Sequence, residues 1–129
     1  MSPTSRRHGR LQAIVAAWFE TNLKGGCAVS EPAVLTRAGV RVADVGWASR
    51  ERYDAQPEEL FREAPEICVE IWSPSNTPEE FEEKRALYFA AGALEVWECD
   101  AEGRVRFFAP EGELEGSRLA AGFPVALEG

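Results

Sequence analysis

Two acidic residues lie inside segments whose composition predicts buried β-strands. Asp44 interrupts the stretch VRVADVGW, and Glu70 interrupts the stretch PEICVEIW. Because side chains alternate across a strand, both acids project from apolar-rich faces. An ionised carboxylate in such a place costs free energy unless it is paired, hydrogen-bonded or bound to a metal. Two of them in a partly dry site repel each other, and a divalent cation such as Mg²⁺ (or Mn²⁺) is the usual remedy.

A lysine follows the second acid on a predicted helix. Lys84 has Glu80 and Tyr88 one turn away on either side of it, on the same helical face. Ser73 and Ser75 add hydroxyls near the end of the strand. An aspartate, a glutamate and a lysine that converge from two strands and a helix are a minimal set for Mg²⁺-dependent hydrolysis. The acids hold the metal, and the lysine orients or activates the attacking water.

The spacing also allows readings without a metal. Each acid could be a strand residue that forms a salt bridge with one of the many arginines of the chain, and Lys84 could be the i, i+4 partner of Glu80. His8, the only histidine, is a candidate general base. The sequence contains no Gly-rich phosphate loop, no G-x-S-x-G and no metal-ligand histidine pair.

The first half of the chain predicts a helix and two strands to carry Asp44. Apolar residues recur at helical spacing from Ser5 to Leu23, and Gly25-Gly26 ends this helix. The stretches CAVSEPAVLTR and VRVADVGWASR predict two strands, which a break at Ala38-Gly39 joins as a hairpin. The following stretch, ERYDAQPEELFREA, predicts a loop with about one helical turn.

The second half predicts the elements that carry Glu70 and Lys84. PEICVEIW is a third strand, and Thr77 with Pro78 and Glu80 forms a strong helix start. This helix is expected to run to about Ala91 and to stop at Gly92. ALEVWECD and RVRFFAP predict two more strands, and the tail GSRLAAGFPVALEG could add a last short one. The order αβββαββ predicts an α/β fold with a mixed sheet flanked by helices.

Composition restricts the setting of these elements. The 129 residues contain no repeat or linker, which predicts a single domain over residues 1–129, and no stretch is apolar enough to span a membrane or act as a signal peptide. We therefore expect a cytoplasmic protein with reduced, mostly buried thiols at Cys27, Cys68 and Cys99. The net charge of −8 argues against non-specific nucleic-acid binding, but not against an enzyme that meets DNA through a local basic patch and a divalent metal.

Several stretches match a known family in order over most of the chain. VRVADVGWASRERY is similar to its V-x-P-D-V strand, PEICVEIWSPSN to P-D-L-V-V-E-V-x-S-P-S, and EEKRALYFAAGALEVWECD to K-x-x-x-Y-x-x-x-G-V-x-E-Y-W-x-V-D. SRRHGRL at the first helix and LAAGFPVAL at the end complete the match. With these motifs the chain resembles the Uma family of "putative restriction endonucleases", a branch of the PD-(D/E)xK nuclease superfamily.

The resemblance implies a restriction-endonuclease-like fold in which Asp44 and Glu70 bind Mg²⁺. It also implies that the lysine of the motif has moved to the following helix, at Lys84, because Trp72 occupies its usual position on the strand. Ala43 stands where the family motif has a proline.

The family also has an acidic N-terminal stretch, E-L-I-x-G-E, which finds no match in this sequence. If an active-site acid is missing for that reason, Glu31 in the first strand and Glu20 on the first helix are the candidates to replace it.

We therefore expect an Mg²⁺-dependent endonuclease that hydrolyses DNA phosphodiester bonds and forms a homodimer, as relatives with this fold often do. Tyr88 and Ser73 are expected beside the metal ligands. The candidates for phosphate contact are Arg6, Arg7, His8 and Arg10. The alternative is a catalytically inactive domain of the same fold that acts in protein–protein assembly, and RNA as the substrate also stays open.

Overall fold

The computed structural model of the chain describes residues 5–128, in which helices pack on both faces of a six-stranded sheet beside a separate two-stranded sheet. Its elements are α1 (Arg6–Asn22), β1 (Gly26–Ser30), β2 (Ala33–Thr36), β3 (Gly39–Val42), β4 (Val45–Ser49), α2 (Arg50–Asp54), β5 (Ile67–Ile71), α3 (Pro78–Ala90), β6 (Glu95–Cys99), β7 (Val105–Ala109) and β8 (Gly112–Leu114). The six strands lie in the order β1-β4-β5-β6-β7-β8, and β5 and β6 are its parallel pair. The predicted mixed sheet flanked by helices is confirmed.

The two predicted strands of the first hairpin are each broken into two, so the predicted order αβββαββ is wrong in this region. The backbone turns at Glu31, whose φ of 50° is in the left-handed region, and Pro32 lacks an N–H for a sheet hydrogen bond. Opposite this break, the chain turns at Ala43-Asp44, between β3 and β4. The inner halves, β1 and β4, join the large sheet, and the outer halves pair as the β2–β3 hairpin. Asp44 consequently lies at a strand end rather than within a strand.

The unit β5–α3–β6 places the second acid and the lysine. Thr77 caps α3 with its side-chain oxygen, and Pro78 takes the first helical position, as predicted. The helix ends at Ala90, and Gly92, with φ of 110°, allows the chain to turn into β6. Since β5 and β6 are parallel, α3 is the crossover between them.

The two faces of the sheet build separate cores, as the alternation in the sequence predicts. Ile67, Val69 and Ile71 of β5 pack with α1 on one face. Cys68 of the same strand packs with Tyr88 of α3 on the other face. Glu70 has the parity of Cys68, so its carboxylate belongs to the α3 face of the sheet.

The C-terminal part departs from the prediction. The strand after β7 is β8, directly after the turn at Pro110-Glu111, and the tail contributes an isolated bridge between Ala126 and Arg104. All three cysteines are free thiols: Cys68 and Cys99 are buried and Cys27 is half-buried. Among residues 5–128, the helices are too short or too polar to cross a lipid bilayer.

Candidate active site

Asp44 is held at the edge of β5 by the backbone of that strand. Its N–H donates to the carbonyl oxygen of Val69, at 3.0 Å. Its Oδ2 accepts a hydrogen bond from the N–H of Ile71, at 2.6 Å. The side chain is half-buried, at 21% exposure. The strand break therefore fixes this carboxylate beside the carboxyl end of β5.

Glu70 is buried in the middle of the sheet and has two side-chain partners on α3. The hydroxyl of Tyr88 donates to its Oε2, at 2.7 Å. Nζ of Lys84 lies 3.4 Å from both carboxylate oxygens. Tyr88 and Lys84 are four residues apart and therefore share a helical face, so one turn of α3 supplies both donors.

The pKa of Glu70 is raised to about 7, mainly by burial and also by the negative charge of Asp44, against the opposing effect of Lys84 and Tyr88. Burial also raises the pKa of Tyr88, together with the charge of Glu70, so the phenol stays a protonated donor. The site thus contains a carboxyl group that changes its charge near neutral pH.

The sequence left open whether Lys84 pairs with Glu80 on its own helix or with Glu70, and the structure shows the contact with Glu70. Lys84 is paired across the site instead of along its own helix. Glu80, its expected i, i+4 partner, accepts a hydrogen bond from the side-chain amide of Asn76, at 3.1 Å. The cation that contacts Glu70 is a lysine from α3, not an arginine.

Ser73 contacts the turn before α3 rather than the acids. Its N–H and its hydroxyl both donate to Oδ1 of Asn76, at 2.8 and 2.9 Å, and Ser75 lies 3.2 Å from the hydroxyl. Asn76, which the sequence reasoning missed, ties this turn to Glu80. The signal for it was its position just before the Thr77 cap, where an Asn commonly organises a turn.

A small cavity lies beside Glu70 and Lys84. Its volume is about 20 Å³, enough for about one water molecule. The lining residues are Glu70, Asn76, Glu80, Phe81 and Lys84. Larger cavities exist elsewhere, including one of about 630 Å³ along α1, so size alone would not have located this site.

The four basic residues at the start of α1 lie in four different environments. Nε2 of His8 lies 3.4 Å from Oδ1 of Asp44, and its Nδ1 is buried without a hydrogen-bond partner. Nε of Arg7 donates to the carbonyl oxygen of Ala101, in the turn before β7. Arg10 lines the groove between α1 and the C-terminal tail, and Arg6 is exposed. His8 therefore contacts Asp44, a candidate metal ligand, and helical periodicity alone did not reveal this contact.

The two candidates to replace the missing acid have other contacts. The carboxylate of Glu20 accepts a hydrogen bond from the N–H of Ala28, at 2.7 Å. The N–H of Glu31 donates to the carbonyl oxygen of Asp44, but its side chain lines a different cavity, with Tyr53. Within residues 5–128, no group of three or more histidine, cysteine or acidic side chains could hold a metal ion. Asp44 and Glu70 are the two carboxylates that the sequence predicted as metal ligands.

Comparison with solved structures places this fold among known ones. A crystal structure from Anabaena variabilis ATCC 29413, described as a "putative nuclease belonging to DUF820", superposes with a TM-score of 0.80 at 17% identity. The match covers 98% of this chain and 80% of the other. Among curated proteins, none matches the chain.

A family model matches nearly the whole sequence. It is the model of Uma2, described as "Putative restriction endonuclease", and it matches residues 1–123. This match confirms the resemblance found in the sequence motifs, and together with the fold it supports a nuclease function. The chain belongs to the Uma2 family.

Proposed function

We propose that this protein is an endonuclease that uses Mg²⁺ or Mn²⁺ to hydrolyse phosphodiester bonds in DNA. The observation that carries the proposal is the grouping of Asp44, Glu70 and Lys84 at the carboxyl end of β5, with Lys84 in contact with both oxygens of Glu70. Family membership and fold support the same class of reaction.

The ligand set suits Mg²⁺. This ion takes oxygen ligands and usually binds through one or two carboxylates together with substrate phosphates and waters. Asp44 and Glu70 would hold it. The raised pKa of Glu70 indicates that a cation at this place would relieve the cost of two nearby negative charges. When bound, the metal would polarise the phosphoryl group and lower the pKa of a bound water.

The side chains around the acids have separate tasks. The hydroxyl of Tyr88 and the N–H of Ile71 fix the orientation of the two carboxylates. Lys84 is 35% exposed and lines the cavity that has room for one water, so its ammonium group can orient the attacking water or stabilise charge on the phosphate. In this arrangement Lys84 of α3 would take the task that the motif of the wider superfamily gives to a lysine on the strand, where this chain has Trp72.

The start of α1 is the proposed contact for the DNA backbone. Its first turn contains Arg6, Arg7 and His8 and no acidic residue. Cations at a helix N-terminus oppose the helix dipole, so this charge pattern does not serve the stability of the helix. It gives an acidic protein a local positive site beside Asp44, where a phosphate would meet favourable charge.

We further propose a cytoplasmic homodimer of this single domain. Free thiols are typical of a reducing compartment. The β2–β3 hairpin exposes three apolar side chains, Leu35, Val40 and Val42, at 42%, 48% and 45%. They lie on one face of the hairpin. Leu35 is paired directly with Val40, and Val42 is two residues from Val40 on the same strand. An exposed apolar face of this kind favours a protein interface.

Metal binding is tested by thermal unfolding with and without Mg²⁺ or Mn²⁺. A metal at about 100 times its Kd stabilises the protein by about 2.7 kcal/mol, a rise of several degrees in Tm. We expect this rise in the wild type and its loss in Asp44→Ala and Glu70→Ala. Glu83→Ala, which removes an exposed acid from α3, is the matched control and should keep the rise. Equal rises in all four proteins would contradict the proposed site.

Catalysis is tested by nicking of a supercoiled plasmid. Lys84→Ala should lower the rate by about 10²-fold or more, because general acid–base groups contribute on that scale. Lys24, the only other lysine, is exposed, and Lys24→Ala should leave the rate unchanged. Metal binding without nicking of DNA or cleavage of RNA would favour the catalytically inactive alternative, and cleavage of RNA alone would correct the substrate.

A further inference from the structure

A second cavity lies on the same face of the sheet, next to the candidate active site. Its volume is about 240 Å³, and its lining residues are Trp72, Glu98, Asp100, Arg104 and Arg106. Glu98 on β6 is in register with Glu70 on β5. Trp72 and Asp100 directly follow the carboxyl ends of these parallel strands. In α/β sheets, ligands bind in the crevice at that end of the strands.

An aromatic stack separates the two cavities. The rings of Trp72 and Phe81 are nearly parallel, with centroids 4.2 Å apart and an interplanar angle of 15°. Phe81 lines the small cavity with Glu70, and Trp72 lines the second one. Phe81 stacks on one face of the indole, and the backbone N–H of Trp72 donates to the carbonyl oxygen of Cys99, at 2.8 Å. Trp72 is therefore a fixed, half-buried aromatic wall.

The rest of the lining consists of two acidic and two basic side chains, which offer hydrogen-bond acceptors and donors. Asp100 and Glu98 supply carboxylates, and Arg104 and Arg106 supply guanidinium groups. Arg104 binds Asp100, and Arg106 binds Glu113. These two arginines are 70% and 60% exposed, and ion pairs so exposed contribute little. A ligand can therefore replace the acidic partners of these arginines at a low cost in free energy. The lining has no net charge, although the protein as a whole has a net charge of −8.

A flat ring system with its own donors and acceptors suits this cavity. Pockets for drug-sized ligands have about 300–1,000 Å³, so about 240 Å³ suits a ligand the size of one base. Nucleobases stack on aromatic side chains whatever their identity. In a duplex both faces of a base are already covered by its neighbours, so the base must be unpaired or turned out of the helix.

We propose that this cavity binds one unpaired nucleobase, stacked on the indole of Trp72, and so positions the adjoining phosphate at Asp44 and Glu70. The proposal rests on the nuclease function above and narrows its substrate to single-stranded or locally unpaired DNA. The proposed base site also gives a role to Trp72, which occupies the strand position where the motif of the wider superfamily has a lysine.

Fluorine NMR of protein labelled with 5-fluorotryptophan tests the site without any hydrolysis. The chain has four tryptophans, and Trp72→Phe assigns the resonance of Trp72 by its loss. The titrant is a single-stranded hexadeoxynucleotide in EDTA, and a hexamer of the same length with abasic sites controls for backbone binding. We expect the Trp72 resonance to shift with the first strand and to stay in place with the abasic strand.

Affinity gives the second measurement, with fluorescence anisotropy of a labelled hexamer. Trp72→Leu should bind at least about fivefold more weakly than the wild type, from the loss of base stacking. Trp72→Tyr keeps an aromatic ring and should bind close to wild type, which separates stacking from a general loss of structure. Circular dichroism checks that both variants fold.

The outcomes distinguish this proposal from the proposed function. Absence of strand binding, a Trp72 resonance that stays in place at saturation, or an equal shift with the abasic strand would overturn the base site. Hydrolysis on addition of metal with such a result would leave the nuclease function intact. A shifted Trp72 resonance without hydrolysis would support the base site and contradict catalysis.

Discussion

Glu70 accounts for much of the chemistry expected at this site because it is a buried acid with incomplete compensation. One phenol and one ammonium group contact it, and Asp44 is a second negative charge close by. Its pKa of about 7 means that the proton is released in the range where enzymes work. A cation bound between Asp44 and Glu70 would favour the ionised form of Glu70 and lower the pKa of its carboxyl group.

This residue makes the stability of the metal-free protein depend on pH. The folded protein holds the Glu70 proton more tightly than the unfolded chain, so this contribution to the free energy of unfolding falls as pH rises from about 4.5 to about 7. We expect Glu70→Gln, measured by urea unfolding in EDTA, to match the wild type at pH 4.5. At pH 8 it should be more stable by about 3 kcal/mol.

Glu83→Gln is the control for this experiment, because Glu83 is exposed on α3. It should differ from the wild type by less than about 0.5 kcal/mol at both pH values. A Glu70→Gln variant that is no more stable than the wild type at pH 8 would show that the Glu70 carboxylate is already compensated without metal.

At the scale of elements, a buried acid with full compensation holds the C-terminal segment to β6. Glu95 is 2% exposed and accepts four hydrogen bonds. The donors are Trp97 Nε1, Ser117 Oγ and the N–H groups of Arg118 and Leu119, at 2.7 to 3.0 Å. Glu95 therefore has a structural role, in contrast to Glu70, although both are glutamates in five-residue strands of entirely buried residues.

We expect Glu95→Ala to lower the free energy of unfolding by about 3 kcal/mol or more, because several buried donors lose their acceptor. Urea unfolding measures the loss, and hydrogen exchange should become faster at the amides of Arg118 and Leu119. Glu113→Ala, which removes an exposed acid paired with Arg106 on the neighbouring strand, should leave the free energy of unfolding close to that of the wild type. Unchanged exchange at both amides would contradict the anchoring role.

At the scale of the whole molecule, the β2–β3 hairpin exposes apolar side chains that nothing covers in a single copy of the described chain. β2 and β3 bury Val34 and expose Leu35, Val40 and Val42. Val40→Glu should shift the protein from dimer to monomer in sedimentation velocity, because a charge on an apolar contact loses its hydration. Val125→Glu, at another exposed valine (58%), should leave the dimer intact. A wild type that sediments as a monomer at high concentration would contradict the homodimer.

Local patterns in the sequence determined the helices, the strands around Glu70 and the assignment of faces. The cap at Thr77, the spacing of Leu11, Val15 and Phe19, and the alternation in β5 are short-range properties that the fold keeps. The family motifs added the fold and the family, which are confirmed. The roles of Asp44, Glu70 and Lys84 remain predictions.

The tertiary structure decided which groups meet. The strand break at Asp44, the contact of His8 with that residue, and the choice of Lys84 between Glu80 and Glu70 depend on how distant segments pack. The sequence did not reveal the different surroundings of Glu70 and Glu95 either, because each is an acid within an apolar strand. Contacts within the tertiary structure supply the four donors that bind Glu95. They supply fewer partners to Glu70, whose pKa is raised to about 7. A sequence fixes side-chain chemistry locally, whereas desolvation and pairing are set by neighbours far along the chain.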